Sequence, residues 1–244
     1  MACLRAQCEP TPLAVSRALG HVGGVDAPVL FVDLGGATTD VHSLGGSSEG
    51  RRGGGLPMPE TMRTVEGDLG MRWGAPGIVA AMSEARRQKV EGELDCDLAV
   101  AARSRHEVPG FLPDSVREQA IDRALNEAAV AIAIERHAGR VVVRHRPWGD
   151  RYQVLGKDLR ACRLLIATGG AFRHDPDPER TVRAALAASA AVQAPRNPRV
   201  TVDWRYALYA IGLLARLDPT LAHKLSSQAL APAHRNRPVV EGDT

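Results

Sequence analysis

Three stretches predict an α/β protein, a mixed and twisted sheet flanked by helices with a small helical insertion. Val29 to Leu44 (VLFVDLGGATTDVHSL) is an apolar run, an acid, two glycines, two hydroxyls, a second acid and another apolar pair. That order is the pattern of a strand–turn–strand hairpin. Arg163 to Phe172 (RLLIATGGAF) is a buried apolar strand running into another glycine pair. Asp114 to His137 carries Val116, Ile121, Leu125, Ala128 and Ile132 at helical intervals, and its second half, AAVAIAI, suits a helix laid across a sheet.

From the N-terminus, Pro12 to Val22 has a helical spacing closed by Gly23-Gly24 and leads into the Val29 strand. Gly45 to Pro59 is dense in Gly, Ser, Arg and Pro, which predicts a flexible loop, bounded at residues 45–62. Next, MRTVEGDLGMRW places Glu66 and Asp68 around Gly67; one of these acids positions a metal-bound water at a cleft, or both sit solvated in a polar turn. Pro76 to Val90 reads as one helix, with Pro76 in its first turn and Ile78, Val79, Met82 and Ala85 on one face. The weaker pattern from Glu91 to Pro113 predicts the inserted helical region. Ser115 and Glu118 have capping-box spacing, Gly139 ends the long helix, and His137 is expected as a helix-end residue rather than a ligand. Arg140 to Arg146 alternates as a strand, with Arg151 to Leu155 as its partner. Glu179 to Val192 predicts an alanine-rich helix, followed by a loop that contains Pro195 and Pro198. Asp203 to Leu217 predicts a further helix, Thr220 to Ser227 a helical turn or two, and Ala231 to Thr244 a mobile tail. The expected organisation is 1–27, 28–217 and 218–244.

The chemistry concentrates in the two glycine turns. Gly35 and Gly36 let the chain turn tightly and bring amide N–H groups against an anion. Thr38 and Thr39 add hydroxyls, and Asp33 and Asp40 bracket the loop with carboxylates suited to a hydrated Mg²⁺ on phosphate oxygens. The alternative is an ordinary glycine hairpin with acids at its ends. Gly169 and Gly170 let a flat ligand approach the backbone, or serve a plain strand-to-helix turn. Arg173 and His174 lie within reach of that turn.

Composition narrows the function classes. The chain of 244 residues is 44% hydrophobic and 24% charged, ordinary for a soluble globular protein, and its net charge of +3 does not argue for nucleic acid. No run approaches a membrane span and the N-terminus lacks a signal-peptide core, so a cytoplasmic location is expected. Cys3, Cys8, Cys96 and Cys162 are scattered without zinc-ligand spacing.

VDLGGATTDVHS resembles the second phosphate loop of the actin-like ATPase superfamily, whose core is ribonuclease H-like. Within it, ATTDVHSL, RTVEGDLGMRWGAPG (Arg63–Gly77), ERHAG (Glu135–Gly139) and ATGGAF (Ala167–Phe172) resemble the MutL family associated with glutamate mutase, unrelated to the mismatch-repair protein of that name. The resemblance covers about Val29 to Leu217. It implies the second half of an actin-like ATPase, with residues 1–27 as a connecting helix from a first half whose own phosphate loop does not precede Val29. It further implies an ATP-dependent reactivating factor for an adenosylcobalamin-dependent mutase. Asp33 and Asp40 would organise Mg²⁺ and the attacking water, Gly35, Gly36, Thr38 and Thr39 would hold phosphates, and Gly169-Gly170 would seat the adenosine; cobalamin would stay on the mutase. Two alternatives stand beside it. One is a hydantoinase- or oxoprolinase-like ATP-dependent amide hydrolase subunit, whose loop is similar; the other is a nucleotide-binding half that needs a first-half polypeptide for turnover.

Overall fold

The computed structural model describes residues 10–22, 28–46 and 58–230. In chain order these form α1 (Thr11–Leu19), β1 (Val29–Leu34), β2 (Thr39–Leu44), β3 (Thr61–Glu66), α2 (Ala75–Ala81), α3 (Glu84–Leu94), α4 (Leu98–Glu107), α5 (Val116–His137), β4 (Arg140–Arg144) and β5 (Arg151–Leu155). Then follow β6 (Leu164–Thr168), α6 (Gly170–His174), α7 (Pro178–Ala188), β7 (Arg199–Val202), α8 (Ala207–Leu214) and α9 (Pro219–Ala229). Contacts divide them into two units, one holding residues 10–22 and 203–230, the other holding residues 28–46 and 58–202. Asp203 to Leu217 thus groups with α1 and α9 instead of with the sheet, unlike the expected boundary after residue 217. No described helix is long and apolar enough to cross a membrane.

The larger unit is built on a five-stranded sheet in the order β3-β2-β1-β6-β7. The hairpin β1–β2 and the β2–β3 pair are antiparallel, whereas β1–β6 and β6–β7 are parallel, so the sheet is mixed. Parallel strands need both faces covered, and every residue of β6 is buried. Helix α5 packs on one face, where Thr64 Oγ1 and Ser43 Oγ lie 2.9 and 2.8 Å from the two ring nitrogens of His137. His137 is therefore a buried helix-end group bound to two hydroxyls. A separate two-stranded ribbon, β4–β5, pairs as the sequence suggests.

In the smaller unit α1 packs on α8, and α8 on α9. At Gly212 the helices come so close that a Cβ would lie 2.9 Å from the Ala14 Cα and collide with its carbonyl. Arg17 donates to the Gly212 carbonyl at 3.2 Å.

Several expectations are corrected. The helix expected over Pro76 to Val90 is two helices, because Met82 turns extended and the Ser83 hydroxyl caps α3 by accepting from the Arg86 amide. Strand β7 falls where a loop leading to a helix was expected; four residues are too short to display a period. Asp203 caps the start of α8 through both carboxylate oxygens, so that helix is shorter than Asp203 to Leu217. Asp218 caps a full 11-residue α9 where only a turn or two was expected. Ser115 caps α5, but Glu118 binds Arg105 at 2.5 Å instead of closing the box. The loop expected over 45–62 ends earlier, since β3 begins at Thr61. Residues 1–9, 23–27, 47–57 and 231–244 lie outside the described residues, and with them Gly23-Gly24, most of that loop and the expected tail.

Candidate functional site

Strand register brings the two glycine turns together. Asp33 is paired across the hairpin with Asp40 and along the parallel neighbour with Thr168, so all three project from one face. Gly35-Gly36 leaves β1 and Gly169-Gly170 leaves β6 at the same, C-terminal end of two parallel strands, the end where open α/β sheets bind ligands. Gly169 has φ 109°, and a Cβ there would meet the Leu34 backbone and lie 2.8 Å from Asp33 Oδ1. Only glycine fits that approach. Asp33 is half-buried beside it and has an interaction partner of its own.

The Gly35 turn is held from behind by the loop from Gly67 to Gly74. The Met71 amide donates to the Gly35 carbonyl at 3.0 Å, and the Arg72 and Trp73 amides to the Gly36 carbonyl at 2.8 and 2.9 Å. At Gly70 a Cβ would lie 2.6 Å from the Gly36 carbonyl oxygen and collide with Ala37. With its carbonyls taken, the turn presents exposed Gly36 and Ala37 outward. In the run GDLGMRWG the glycines at positions 70 and 74, more than the acids, are the sequence signal for this wrap. Those acids, Glu66 and Asp68, are held by Arg136 at 2.6 and 2.7 Å, which keeps the Asp68 carboxyl below its usual range.

The other expected residues divide. Thr38 Oγ1 donates to Asp40 Oδ2 at 3.1 Å, and Arg63 grips Asp40 Oδ1 through Nε at 2.9 Å and through Nη2. Asp40 is thus a charge-paired group beside the turn. Thr39 leaves the expected phosphate-binding set: strand alternation turns it to the opposite face, where it is fully buried and donates to the Leu69 carbonyl at 2.6 Å.

Gly36 and Gly170 line one cavity of about 250 Å³, closed by Arg72, Phe111, Asp122 and Asn126. Gln119, Asp122, Arg123 and Asn126 come from one face of α5, spaced as successive helical turns. Polar residues at that spacing look like a solvated face in the sequence. Beneath them Arg105, 2% exposed, binds Asp122 Oδ1 at 2.6 Å, while Arg72 binds Asp122 Oδ2 at 3.1 Å and the Phe111 carbonyl at 2.8 Å. Asn126 Oδ1 and Arg123 Nε are buried without a hydrogen-bond partner among the described residues. His174 also lines the cavity; Arg173 does not.

A divalent cation fits this edge in a limited way. Among the described residues no three His, Cys, Asp or Glu groups form an all-protein metal cage. Mg²⁺ uses one or two carboxylates plus phosphates and waters, and Asp33 beside the glycine turns suits that donor set. Asp40, committed to Arg63, suits an outer position.

A family model described as MutL protein matches residues 2–230. The chain belongs to the MutL family. Protein MutL of Clostridium tetanomorphum is 34% identical over 232 residues, covering 91% of this chain and 50% of that protein. The MutL-family chain spans about half the length of this curated relative. A solved chain of a PilM-PilN type IV pilus biogenesis complex aligns over 93% of this chain and 54% of its own at 17% identity with a TM-score of 0.32, too low to assign a fold.

Proposed function

We propose that this MutL-family chain is the second-half nucleotide-binding domain of an ATP-dependent reactivating factor for an adenosylcobalamin-dependent mutase of the glutamate mutase kind. The observation that carries the nucleotide reading is the meeting of the Gly35-Gly36 and Gly169-Gly170 turns at one sheet end over one cavity. Family membership and the quoted sequence strings support the mutase as partner. In this reading ATP phosphates rest on the Gly35–Thr38 turn, and the adenosine lies against Gly169-Gly170 and α5. Asp33 would hold a hydrated Mg²⁺ and orient the attacking water, and Asp40, fixed by Arg63, would add field from the second strand. Mg²⁺, when bound, offsets the charge developing on the phosphates.

A second reading, nucleotide binding without turnover in the isolated chain, is favoured by the commitment of Asp40 to Arg63 and of Thr39 to Leu69. Phosphoryl transfer needs charge from both sides of the cleft, which a first-half polypeptide would complete. The deciding experiment titrates a fluorescent ATP analogue into the chain with Mg²⁺, then measures hydrolysis with and without the remaining half of a MutL protein. Saturable binding, with hydrolysis appearing on reconstitution and inactivated mutase regaining activity, is the expected result. ATP consumption that depends on an added hydantoin or oxoproline would transfer the chain to the amide-hydrolase class.

A further inference from the structure

We propose that a cavity at the opposite end of the sheet is a second binding site, for a small organic oxyanion that also carries an O–H or N–H donor. Strands β6 and β7 run parallel, so Arg160, ahead of β6, and Arg196 and Pro198, ahead of β7, gather at their N-terminal ends. Gly169 leaves β6 at the other end, about 16 Å away at ~3.3 Å per strand residue. The two sites are therefore distinct.

The cavity holds about 470 Å³, and its lining includes Arg160, Arg183 and Arg196 around Leu186, Gln193 and Pro195. Arg160 is fixed by Asp158, Nε to Oδ1 at 2.9 Å and Nη2 to Oδ2 at 2.6 Å. Arg183 is fixed by Glu179 Oε1, at 3.0 Å from Nε and 2.7 Å from Nη2. Each pair engages one edge of a guanidinium, which has five N–H donors, and leaves others to an anion. Arg196 has no acid partner among the described residues. Three guanidiniums face two carboxylates, and the rim remains cationic.

Gln193 supplies the independent sign of a ligand. It is 7% exposed, and its backbone is pinned, the amide donating to the Gly139 carbonyl and the carbonyl accepting from the Leu159 amide, at 2.7 and 2.8 Å. Gln193 lines this cavity, and its side-chain Oε1 is buried without a hydrogen-bond partner among the described residues. Buried acceptors are rarely left unpaired, and a bound donor satisfies this one. The buried floor of Leu186, Ala194, Pro195 and Pro198 takes a short carbon skeleton better than a bare inorganic ion. An oxyanion on the arginines, a few carbons on the floor and a hydroxyl or amide on Gln193 describe the ligand class.

The test titrates the whole chain with glycerol 3-phosphate, 3-hydroxybutyrate, inorganic phosphate and acetate at constant ionic strength, against sodium chloride, by calorimetry. The hydroxylated probe of one pair should bind saturably and more tightly than its bare anion. The glycerol 3-phosphate arm assigns a phosphorylated ligand, and the 3-hydroxybutyrate arm a carboxylate. Arg196→Gln should weaken that binding about tenfold, the scale of one charge-assisted hydrogen bond. Gln193→Leu should remove the advantage of the hydroxylated probe while thermal stability holds or rises, and Asp33→Asn should change nothing here. No binding above the chloride control would overturn the proposal. So would binding that neither Arg196→Gln nor Gln193→Leu alters.

Discussion

Asp33, next to last in β1, lies against the Gly169 turn, and its environment separates charge from fold. Asp33→Asn keeps size and hydrogen bonding but removes the charge. Hydrolysis by the reconstituted protein should fall about 10²-fold or more, with nucleotide binding and melting temperature retained; unchanged turnover would remove Asp33 from the proposed site. Gly169→Ala has a different cost, since its φ of 109° and the Leu34 backbone leave no room for a methyl group. A loss of about 2 kcal/mol or more in urea unfolding is expected. The buried histidines set a pH window. Burial, then Lys157 and His42, pushes His137 down to about 3; burial, then Arg63, pushes His42 down to about 4, with Asp40 opposing. Unfolded imidazoles titrate near 6.5, so between that value and the folded ones the unfolded chain binds more protons. The histidines' share of the stability is full above about pH 6.5 and is lost as pH falls through the window. Urea unfolding between pH 7.5 and 4.5 should show this decline, with a shallower slope in His137→Gln.

Helix α5 links the sheet to the inserted helices. Its Asp122 is shared by Arg105 of α4 and by Arg72, whose side chain reaches across to the Phe111 carbonyl. Arg105 is almost wholly buried and also donates to the Ala101 carbonyl at 3.1 Å, so its removal leaves carboxylates without their main cation. Arg105→Leu should cost about 3 kcal/mol in chemical denaturation and weaken nucleotide binding, because Asp122 lines the cavity. A stability loss with unchanged nucleotide affinity would place the ligand elsewhere.

Among the described residues of the larger unit, protection should be uneven. Strands β1 and β6 lie inside the sheet and are almost entirely buried, whereas β4 and β5 form an isolated pair with Val141, Tyr152 and Leu155 exposed. A two-stranded ribbon is marginal without further support. Native-state hydrogen exchange should find β4–β5 amides at least ~100-fold faster than those of β1 and β6. Comparable rates would mean that another surface covers the ribbon.

The sequence by itself determined the elements whose residues repeat a period or carry a rigid turn. Those are the β1–β2 hairpin, β6 with its glycine pair, α5 and the β4–β5 ribbon, together with the family, because ordered strings survive without any knowledge of contacts. Breaks such as Ser83 and short β7 escaped, since a cap is one hydrogen bond and four residues hold no period. Only the tertiary structure decided which polar groups remain available to a ligand. Thr38 and Thr39 are adjacent and chemically alike, yet pleating sends one to Asp40 and the other to Leu69. Arg63, 23 residues from Asp40, neutralises it through the β2–β3 register. Gln119, Asp122, Arg123 and Asn126 read as a solvated helix face until the Pro109–Pro113 segment and α6 close over them. Partners distant in sequence, brought together by strand register and helix packing, set the charge and hydrogen bonding of each group, and no local pattern encodes them.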